Sequence, residues 1–274
     1  MANSITELKL QNLTVKYGNA TLLENLFGSF KRGQINLIVG RAGSGKSTLL
    51  RTLAGFHKEF SGEVMAEELP FNPSGNISLV FQNPEALFFN GTVGEEVGYA
   101  LKMRGLPTAE SEQTSRKWLQ KWGLDPQQCW NRHPLELSGG EKRRLALAAC
   151  TVFLPPVVLL DEPLAGLDMR GQHALAEMLA SMASGHIVIV VTHEPELLLA
   201  HSSSLLYLNS GGGFWFSPDD FLRQALGKSD FFPLPEWYKC AVTPYCDVAA
   251  LPQIDASAVH RFIKSRRCAD ADQL

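Results

Sequence analysis

The most constraining feature of this chain is the glycine-rich segment from Gly40 to Ser47, Gly-Arg-Ala-Gly-Ser-Gly-Lys-Ser, which directly follows the apolar run Ile35 to Val39. The pattern G-x-x-x-x-G-K-S between a strand and a helix forms a loop whose backbone N–H groups surround phosphate oxygens. Residues Ser47 to Ala54 have helical character and stop before Gly55. A strand, a loop and a helix in this order predict an α/β fold with a parallel sheet and a bound nucleoside triphosphate.

Each residue type in this loop has a physical reason to be there. Glycines let the backbone turn its N–H groups toward the phosphates, and the N-terminus of the next helix adds positive potential. We expect Lys46 to contact the β and γ phosphates and Ser47 to offer its hydroxyl to Mg²⁺. The predicted ATP-binding residues of the loop are Gly40, Arg41, Ala42, Gly43, Ser44, Gly45, Lys46, Ser47 and Thr48.

A second apolar run, Val157 to Leu160, ends in two acids, Asp161 and Glu162. At the carboxyl end of a parallel strand, Asp161 is expected to hold Mg²⁺ through water. Glu162 is expected to act as the general base that polarises the attacking water. Apolar strands also end in acids without any catalytic role, so this interpretation depends on the phosphate loop upstream.

A third motif, Ser138-Gly139-Gly140-Glu141, precedes a helix. The pattern Ser-x-x-Glu predicts a capping box, and a helix N-terminus with two glycines is also an anion-binding site. Both interpretations are compatible. This helix end cannot reach the γ-phosphate that Lys46 contacts unless the chain folds back on itself. We therefore expect a second subunit to present it across an interface.

The remaining pattern predicts how these motifs are connected. Alternation from Ile5 to Tyr17, and less clearly from Gly28 to Lys31, favours an antiparallel β portion. Residues 84–135 have helical spacing, with Thr108 as a predicted N-cap. Further strands are predicted at 78–82, 187–192 and 214–216, and further helices at 95–103, 110–122, 145–154, 172–182, 221–226 and 255–267.

Bulk properties exclude some classes of protein. The formal net charge is −3, with a pI of about 6.2, so no basic surplus indicates a nucleic-acid partner. No apolar run approaches the roughly 20 residues that a membrane-spanning helix needs, and no signal peptide is expected. Five cysteines form no Cys-x-x-Cys pair, which favours reduced thiols over a metal site.

In this order, the motifs resemble those of the nucleotide-binding subunit of ATP-binding cassette (ABC) systems, over residues 1–210. The resemblance implies a P-loop NTPase of the ABC ATPase fold, with an antiparallel β subdomain, a parallel-sheet core, a helical insert at 84–135 and a C-terminal extension at 211–274. It also implies roles for four further residues. Tyr17 would stack on adenine, Gln82 would sense Mg²⁺ and the membrane partner, Asp168 would cross the dimer interface, and His193 would contact the γ-phosphate.

Within that family, the segment Phe81-Gln-Asn-Pro-Glu85 and the Lys-Arg-Arg after Glu141 are similar to the ATPases of energy-coupling-factor importers of vitamins and transition-metal ions. The resemblance implies an ATPase that drives import by ATP-dependent dimer closure. It also implies that four residues of one subunit contact the ATP bound by the other: Ser138, Gly139, Gly140 and Asp168. Its expected partners are a second ATPase subunit, identical or related, a transmembrane scaffold and a substrate-binding membrane protein, at the cytoplasmic face of the membrane.

Two alternatives stay open. One is the ATPase of a conventional ABC importer or exporter, and the other is a non-transport ATPase such as an iron–sulfur assembly factor. On the insert, the acids Glu85, Glu95 and Glu96 either pair with arginines of a membrane partner or merely solvate a helix face.

Overall fold

A computed structural model describes residues 5–209, 211–227 and 231–234. Within these ranges the strands are β1 Glu7–Tyr17, β2 Ala20–Lys31, β3 Ile35–Gly40, β4 Phe60–Ala66, β5 Leu69–Pro70, β6 Ile77–Val80, β7 Val157–Asp161, β8 Ile187–Val191, β9 Ser202–Asn209 and β10 Gly212–Phe216. The α-helices are α1 Lys46–Leu53, α2 Val93–Met103, α3 Thr108–Lys121, α4 Pro126–Cys129, α5 Gly139–Thr151, α6 Met169–Ala183 and α7 Pro218–Gly227. Short 3₁₀ turns lie at Pro84–Leu87, Pro134–Glu136 and Leu199–His201.

The strands form two sheets. An antiparallel sheet has the order β2-β1-β4-β5, and a six-stranded sheet has the order β10-β9-β3-β8-β7-β6. In the larger sheet, the five strands from β9 to β6 run parallel, and β10 pairs antiparallel with β9. The predicted α/β class, with an antiparallel portion and a parallel core, is confirmed.

Both faces of the larger sheet are buried, which explains why its strands are continuous apolar runs rather than alternating ones. Leu37 and Val39 pack with the helical layer of α2, α3, α5, α6 and α7. Ile38, between them, packs with α1 and the antiparallel sheet. The strand that leads into the phosphate loop is therefore held between two hydrophobic cores.

Several elements differ from the prediction. Strands β4, β5 and β9 were not predicted, and β2 is longer than the predicted stretch at 28–31. Strand β9 lies beside β3. It begins with three serines, so the apolar run Leu205 to Leu208 is too short to indicate the whole strand from sequence. The predicted N-cap at Thr108 is wrong. Pro107, with an extended ψ of 145°, is the N-cap, and Thr108 is already the first helical residue.

The chain beyond residue 210 packs on the core sheet as far as it is described. Strand β10 extends that sheet, and the Trp215 Nε1 donates a hydrogen bond to the Phe27 carbonyl. A Cβ at Gly28 would lie within 2.2 Å of the Trp215 ring, so this contact needs glycine. The domain division at 210 stays a prediction. The predicted helix at 255–267 lies outside the described residues, as do Cys240, Cys246 and Cys268.

Among the described residues, no helix is both long enough and apolar enough to cross a bilayer.

Candidate functional site

The predicted catalytic segments meet at the carboxyl edge of the six-stranded sheet. Val191, the last residue of β8, pairs with Ile38 of β3 on one side and with Asp161 of β7 on the other. The loops after these three strands carry the phosphate loop, Glu162 and His193. Because parallel strands end at the same edge, residues far apart in sequence surround one site.

The phosphate loop has the backbone that its motif predicts. Gly45 has a φ of +92° and serves as the N-cap of α1 without any side-chain cap, so the first N–H groups of the helix are not capped by a side chain. The Lys46 ammonium folds back and donates to the carbonyl oxygens of Gly40 at 2.8 Å and Arg41 at 3.0 Å. Burial lowers the pKa of Lys46, and the charges of Glu162 and Asp161 oppose that shift.

The predicted Mg²⁺ ligands are partly brought together. Ser47 donates a hydrogen bond to Asp161, which opposes the larger effect of burial that raises the pKa of the Asp161 carboxyl. A hydroxyl and a carboxylate are hard oxygen ligands of the type that Mg²⁺ prefers beside substrate phosphates, so these residues fit the ion. Gln82 lies two residues beyond β6, the sheet neighbour of β7, with an exposed side chain.

Glu162 and His193 form a contact pair at the same edge. The Glu162 Oε1 lies 2.8 Å from the His193 Nδ1, and the His193 backbone N–H donates to Oε2 at 3.3 Å. The hydrogen bond between the two side chains raises the pKa of His193 above its ordinary value. Glu162 is almost fully buried, whereas the His193 ring is more than half exposed. The pair thus joins a shielded carboxylate to a group that solvent and ligand can reach.

The backbone of Glu162 has an unusual conformation. Its φ of +49° is in the left-handed region, which costs a non-glycine residue on the order of 1 kcal/mol or more. Its N–H donates to the Val191 carbonyl at 2.9 Å, and its own carbonyl accepts from the Arg143 guanidinium. The sequence analysis gave Arg143 no role of its own; the only signal was its place in the Lys-Arg-Arg run after Glu141.

The Ser138 motif is a complete capping box. The Ser138 hydroxyl accepts from the Glu141 N–H at 3.4 Å, and Glu141 Oε2 accepts from the Ser138 N–H at 2.8 Å. Asp168 similarly caps α6 by accepting from the Gly171 N–H at 2.8 Å. Gly140 and Asp168 line a cavity of about 260 Å³ that does not include Lys46. Within the described part of one chain, Gly140 and Asp168 therefore line a different cavity from the phosphate loop.

The cavity at the phosphate loop measures about 700 Å³. It is lined by the loop, by the Glu162–His193 pair, by Glu194, and by the segment Phe232 to Leu234. Phe232 and Leu234 are almost fully buried, and the preceding Phe231 carbonyl accepts from the Tyr207 hydroxyl at 2.5 Å. Sequence analysis missed this segment because a proline-rich stretch carries no periodic signal.

Two predicted contacts differ in accessibility. Tyr17, the predicted adenine platform, is 70% exposed at the end of β1 and stacks on His57 with ring centroids 6.2 Å apart. Glu96 was expected either to pair with an arginine of a membrane partner or to solvate a helix face, and both interpretations are wrong. It is buried, and its Oε2 accepts from the N–H groups of Phe89 and Asn90 and from the Asn90 amide. The carboxylate instead holds the loop before α2.

Comparison with known proteins decides the family. The model of the ABC transporter family matches residues 23–165, which contain the phosphate loop, the Ser138 motif and the Asp161–Glu162 pair. This chain belongs to the ABC transporter family. It is an ATPase of that family, and the resemblance to ABC nucleotide-binding subunits is confirmed, whereas the roles assigned to Gln82, Asp168 and His193 stay predictions.

Individual proteins similar to this chain include ATP-binding proteins of transporters. The chain is 32% identical, over 240 residues, to the energy-coupling factor transporter ATP-binding protein EcfA1 of Thermotoga maritima, covering 85% of this chain and 91% of that one. It is 31% identical to the Fe(3+) ions import ATP-binding protein FbpC of Escherichia coli, covering 82% and 68%. Among solved structures, cbiO1 of Clostridium perfringens, described as part of the ABC transporter complex cbiONQ, superposes with a TM-score of 0.73 at 26% identity, covering 82% and 95%.

Proposed function

We propose that this ABC ATPase drives an energy-coupling-factor importer of a micronutrient, a vitamin or a transition-metal ion. The observation that carries the proposal is the similarity to EcfA1, which spans 85% of this chain. The similarity to cbiO1 supports it over nearly the whole of that structure. On this proposal the protein lies at the cytoplasmic face of the membrane, bound to transmembrane partners.

ATP is proposed to be held between two ATPase subunits, identical or related. Lys46, Ser47 and Asp161 of one subunit would bind the phosphates and Mg²⁺, with Gln82 completing the ion's ligands and Tyr17 stacking on adenine. Ser138, Gly139, Gly140 and Asp168 of the other subunit would face the same nucleotide. Gly140 and Asp168 line a different cavity from Lys46 and Glu162, which supports this arrangement.

Hydrolysis is proposed to proceed by attack of water on the γ-phosphate. Glu162 would orient that water and accept its proton, and His193 would contact the γ-phosphate. Mg²⁺, when bound, would neutralise phosphate charge. Closure of the dimer on ATP is a population shift, so it performs work only on a protein attached to the moving subunits.

An exposed apolar cluster on the helical insert is proposed as that attachment. Phe89 packs edge-on against Tyr99 with centroids 4.8 Å apart, and Phe89, Tyr99, Leu87 and Met103 are all exposed. Large exposed apolar side chains close together on a chain of this kind indicate a protein interface. With Glu96 engaged within the chain, apolar contact rather than its charge is the expected basis of docking.

The test is recovery of the tagged chain from detergent-solubilised native membranes, with its partners identified by mass spectrometry. A small scaffold membrane protein together with a separate substrate-binding membrane protein is the expected result, and the binder names the substrate. Two large permease domains would instead assign the chain to the conventional transporters, with FbpC as the model. Soluble partners alone would overturn the transport proposal and leave the ATPase intact.

A matched pair of variants tests the attachment. Phe89→Glu, on the insert, is expected to lose the membrane partners while binding ATP normally. Phe214→Glu, on β10, replaces a phenylalanine of similar exposure, 58% against 66%, and is expected to keep them. Equal recovery of partners with both variants would remove the insert cluster from the proposal.

A further inference from the structure

Arg143 occupies an unusual position for a charged residue. It lies in the second turn of α5, the helix that begins at the Ser138 motif, and it is only 5% exposed. Its three guanidinium nitrogens all donate to backbone carbonyl oxygens. The Nε donates to Pro163 at 2.9 Å, and the other two donate to Gln82 and to Glu162.

These three carbonyls belong to two loops that the function depends on. Gln82 follows β6, and Glu162 and Pro163 follow β7, so Arg143 connects the ends of two neighbouring strands to α5. A guanidinium is planar and presents its donors at fixed angles, so it fixes the relative positions of all three acceptors. Hydrogen bonds from a charged donor are stronger than neutral ones, and burial excludes competing water.

The contact with Arg143 constrains the orientation of the Glu162 side chain. The Glu162 N–H donates to the Val191 carbonyl, and the Glu162 carbonyl accepts from Arg143. Held from both sides, the backbone keeps the left-handed φ of +49°, and the carboxylate stays 2.8 Å from His193. Relaxation toward an ordinary φ would turn the carboxylate away from that position.

We infer that Arg143 is a positioning residue for ATP hydrolysis, which holds the Glu162 carboxylate and the Gln82 loop in register with the helix that carries Ser138. The three carbonyls that Arg143 contacts lie in the loops after β6 and β7, whereas the Lys46 ammonium is held by carbonyls of the phosphate loop. Loss of Arg143 is therefore expected to slow bond cleavage far more than it weakens ATP binding. The inference rests on the roles proposed above for Glu162 and Gln82.

The experiment compares four full-length variants with the wild type, each with the ATPase partner that co-purifies with it. Arg143→Met removes the guanidinium and keeps much of the chain length, and Arg143→Lys keeps the charge but not the fork. Arg116→Met is the matched control, because Arg116 also makes two hydrogen bonds, to Glu112, and lies 3.9 Å over the Trp130 ring of the insert. Glu162→Gln tests the base itself.

Steady-state kcat and KM, the dissociation constant of a fluorescent ATP analogue and the thermal midpoint are measured for each. Arg143→Met is expected to lower kcat by about 100-fold, as for a misplaced catalytic group, with the dissociation constant changed less than about 2-fold. Arg143→Lys is expected to retain part of the rate, about 10-fold below wild type, because one ammonium nitrogen cannot reach all three carbonyls. Arg116→Met should keep kcat even if its thermal midpoint falls.

Two results for the Arg143 variants would overturn the inference. One is a kcat for Arg143→Met, or for Arg143→Lys if the first variant does not fold, close to that of wild type. The other is a loss of ATP binding that accounts for the whole loss of rate, which would make Arg143 a structural residue. A near-normal rate for Glu162→Gln would overturn it by a different route, because the group that Arg143 is inferred to position would then not be the base.

Discussion

Two helix N-termini in this molecule are both expected to meet phosphate, and they are built differently. Helix α1 begins at Lys46 after a left-handed Gly45, with no side-chain cap and no acid in its first turn. Helix α5 begins after Ser138 with a complete capping box, in which Glu141 occupies the serine N–H and hydroxyl. The first end has no side-chain cap, whereas at the second the N–H groups of Ser138 and Glu141 are already bonded within the chain.

This difference indicates a division of work. An uncapped end binds the nucleotide in a single subunit, since its N–H groups and Lys46 need no rearrangement beyond exchange of two carbonyl contacts. At the capped end, a phosphate must compete with Glu141 for the N–H and hydroxyl of Ser138. We therefore expect the α5 end to respond to a partner loaded with ATP, and not to nucleotide in its own chain.

The largest expected effect concerns the open end. Lys46→Ala should weaken ATP binding by about 100-fold, because a charged donor to phosphate is lost from a mostly buried position. The measurement is titration with a fluorescent ATP analogue. Lys117→Ala, at an exposed position of α3, is the control and should bind normally. Comparable ATP affinity of the two variants would mean that ATP binding at the uncapped N-terminus of α1 does not depend on Lys46.

An effect of similar size separates binding from cleavage at that end. Glu162→Gln keeps the size of the side chain and one acceptor oxygen but removes its basicity, so hydrolysis should fall by about 100-fold or more while ATP still binds. Phosphate release and dimer formation are measured together, and the variant should accumulate as an ATP-bound dimer. Glu110→Gln, an exposed residue of α3, is the matched control. Rapid hydrolysis by Glu162→Gln would contradict its role as the base.

Much of this comparison could be predicted from sequence, because its determinants are local. The phosphate loop, the capping box and the apolar strand before Asp161 are each defined by residues within one short segment. What could not be predicted depends on long-range packing. Three features arise only when distant segments fold together. They are the burial of Glu96, the hydrogen bonds from Arg143 to three carbonyls, and the position of Phe232 beside the phosphate loop. Strand β9 was missed because its pairing with β3, and not its serine-rich sequence, defines it.

A smaller effect tests the capped end. Ser138→Ala should cost about 1 kcal/mol of stability through loss of the N-cap, and should also slow hydrolysis in the dimer. Thr92→Ala removes the corresponding cap of α2, where the threonine hydroxyl accepts from the Glu95 N–H at 3.2 Å. It should cost similar stability and keep the rate. Thermal unfolding and steady-state hydrolysis of both variants give the comparison, and equal rates would limit Ser138 to capping.

The smallest effect is a difference in how the two regions respond to pH. The pKa of His193 is raised by its hydrogen bond to Glu162, so the charged pair is present at low pH and is lost as pH rises through a midpoint above the ordinary value near 6.5. The pKa of Glu141 is lowered by Ser138, so the capping box is present at neutral pH and is lost only as pH falls below the ordinary range near 4.3.

Nuclear magnetic resonance of the nucleotide-free chain measures both responses. The His193 ring should titrate above pH 6.5 and shift to a lower midpoint in Glu162→Gln, because its charged partner is removed. The Ser138 amide, which donates to Glu141 at 2.8 Å, should change only in acid. The resonances of His186, which directly precedes β8 at the opposite edge of the sheet, should be the same in both proteins and serve as the reference. A shared midpoint for His193 and Ser138 would mean that the two ends are coupled before ATP binds, against the division proposed here.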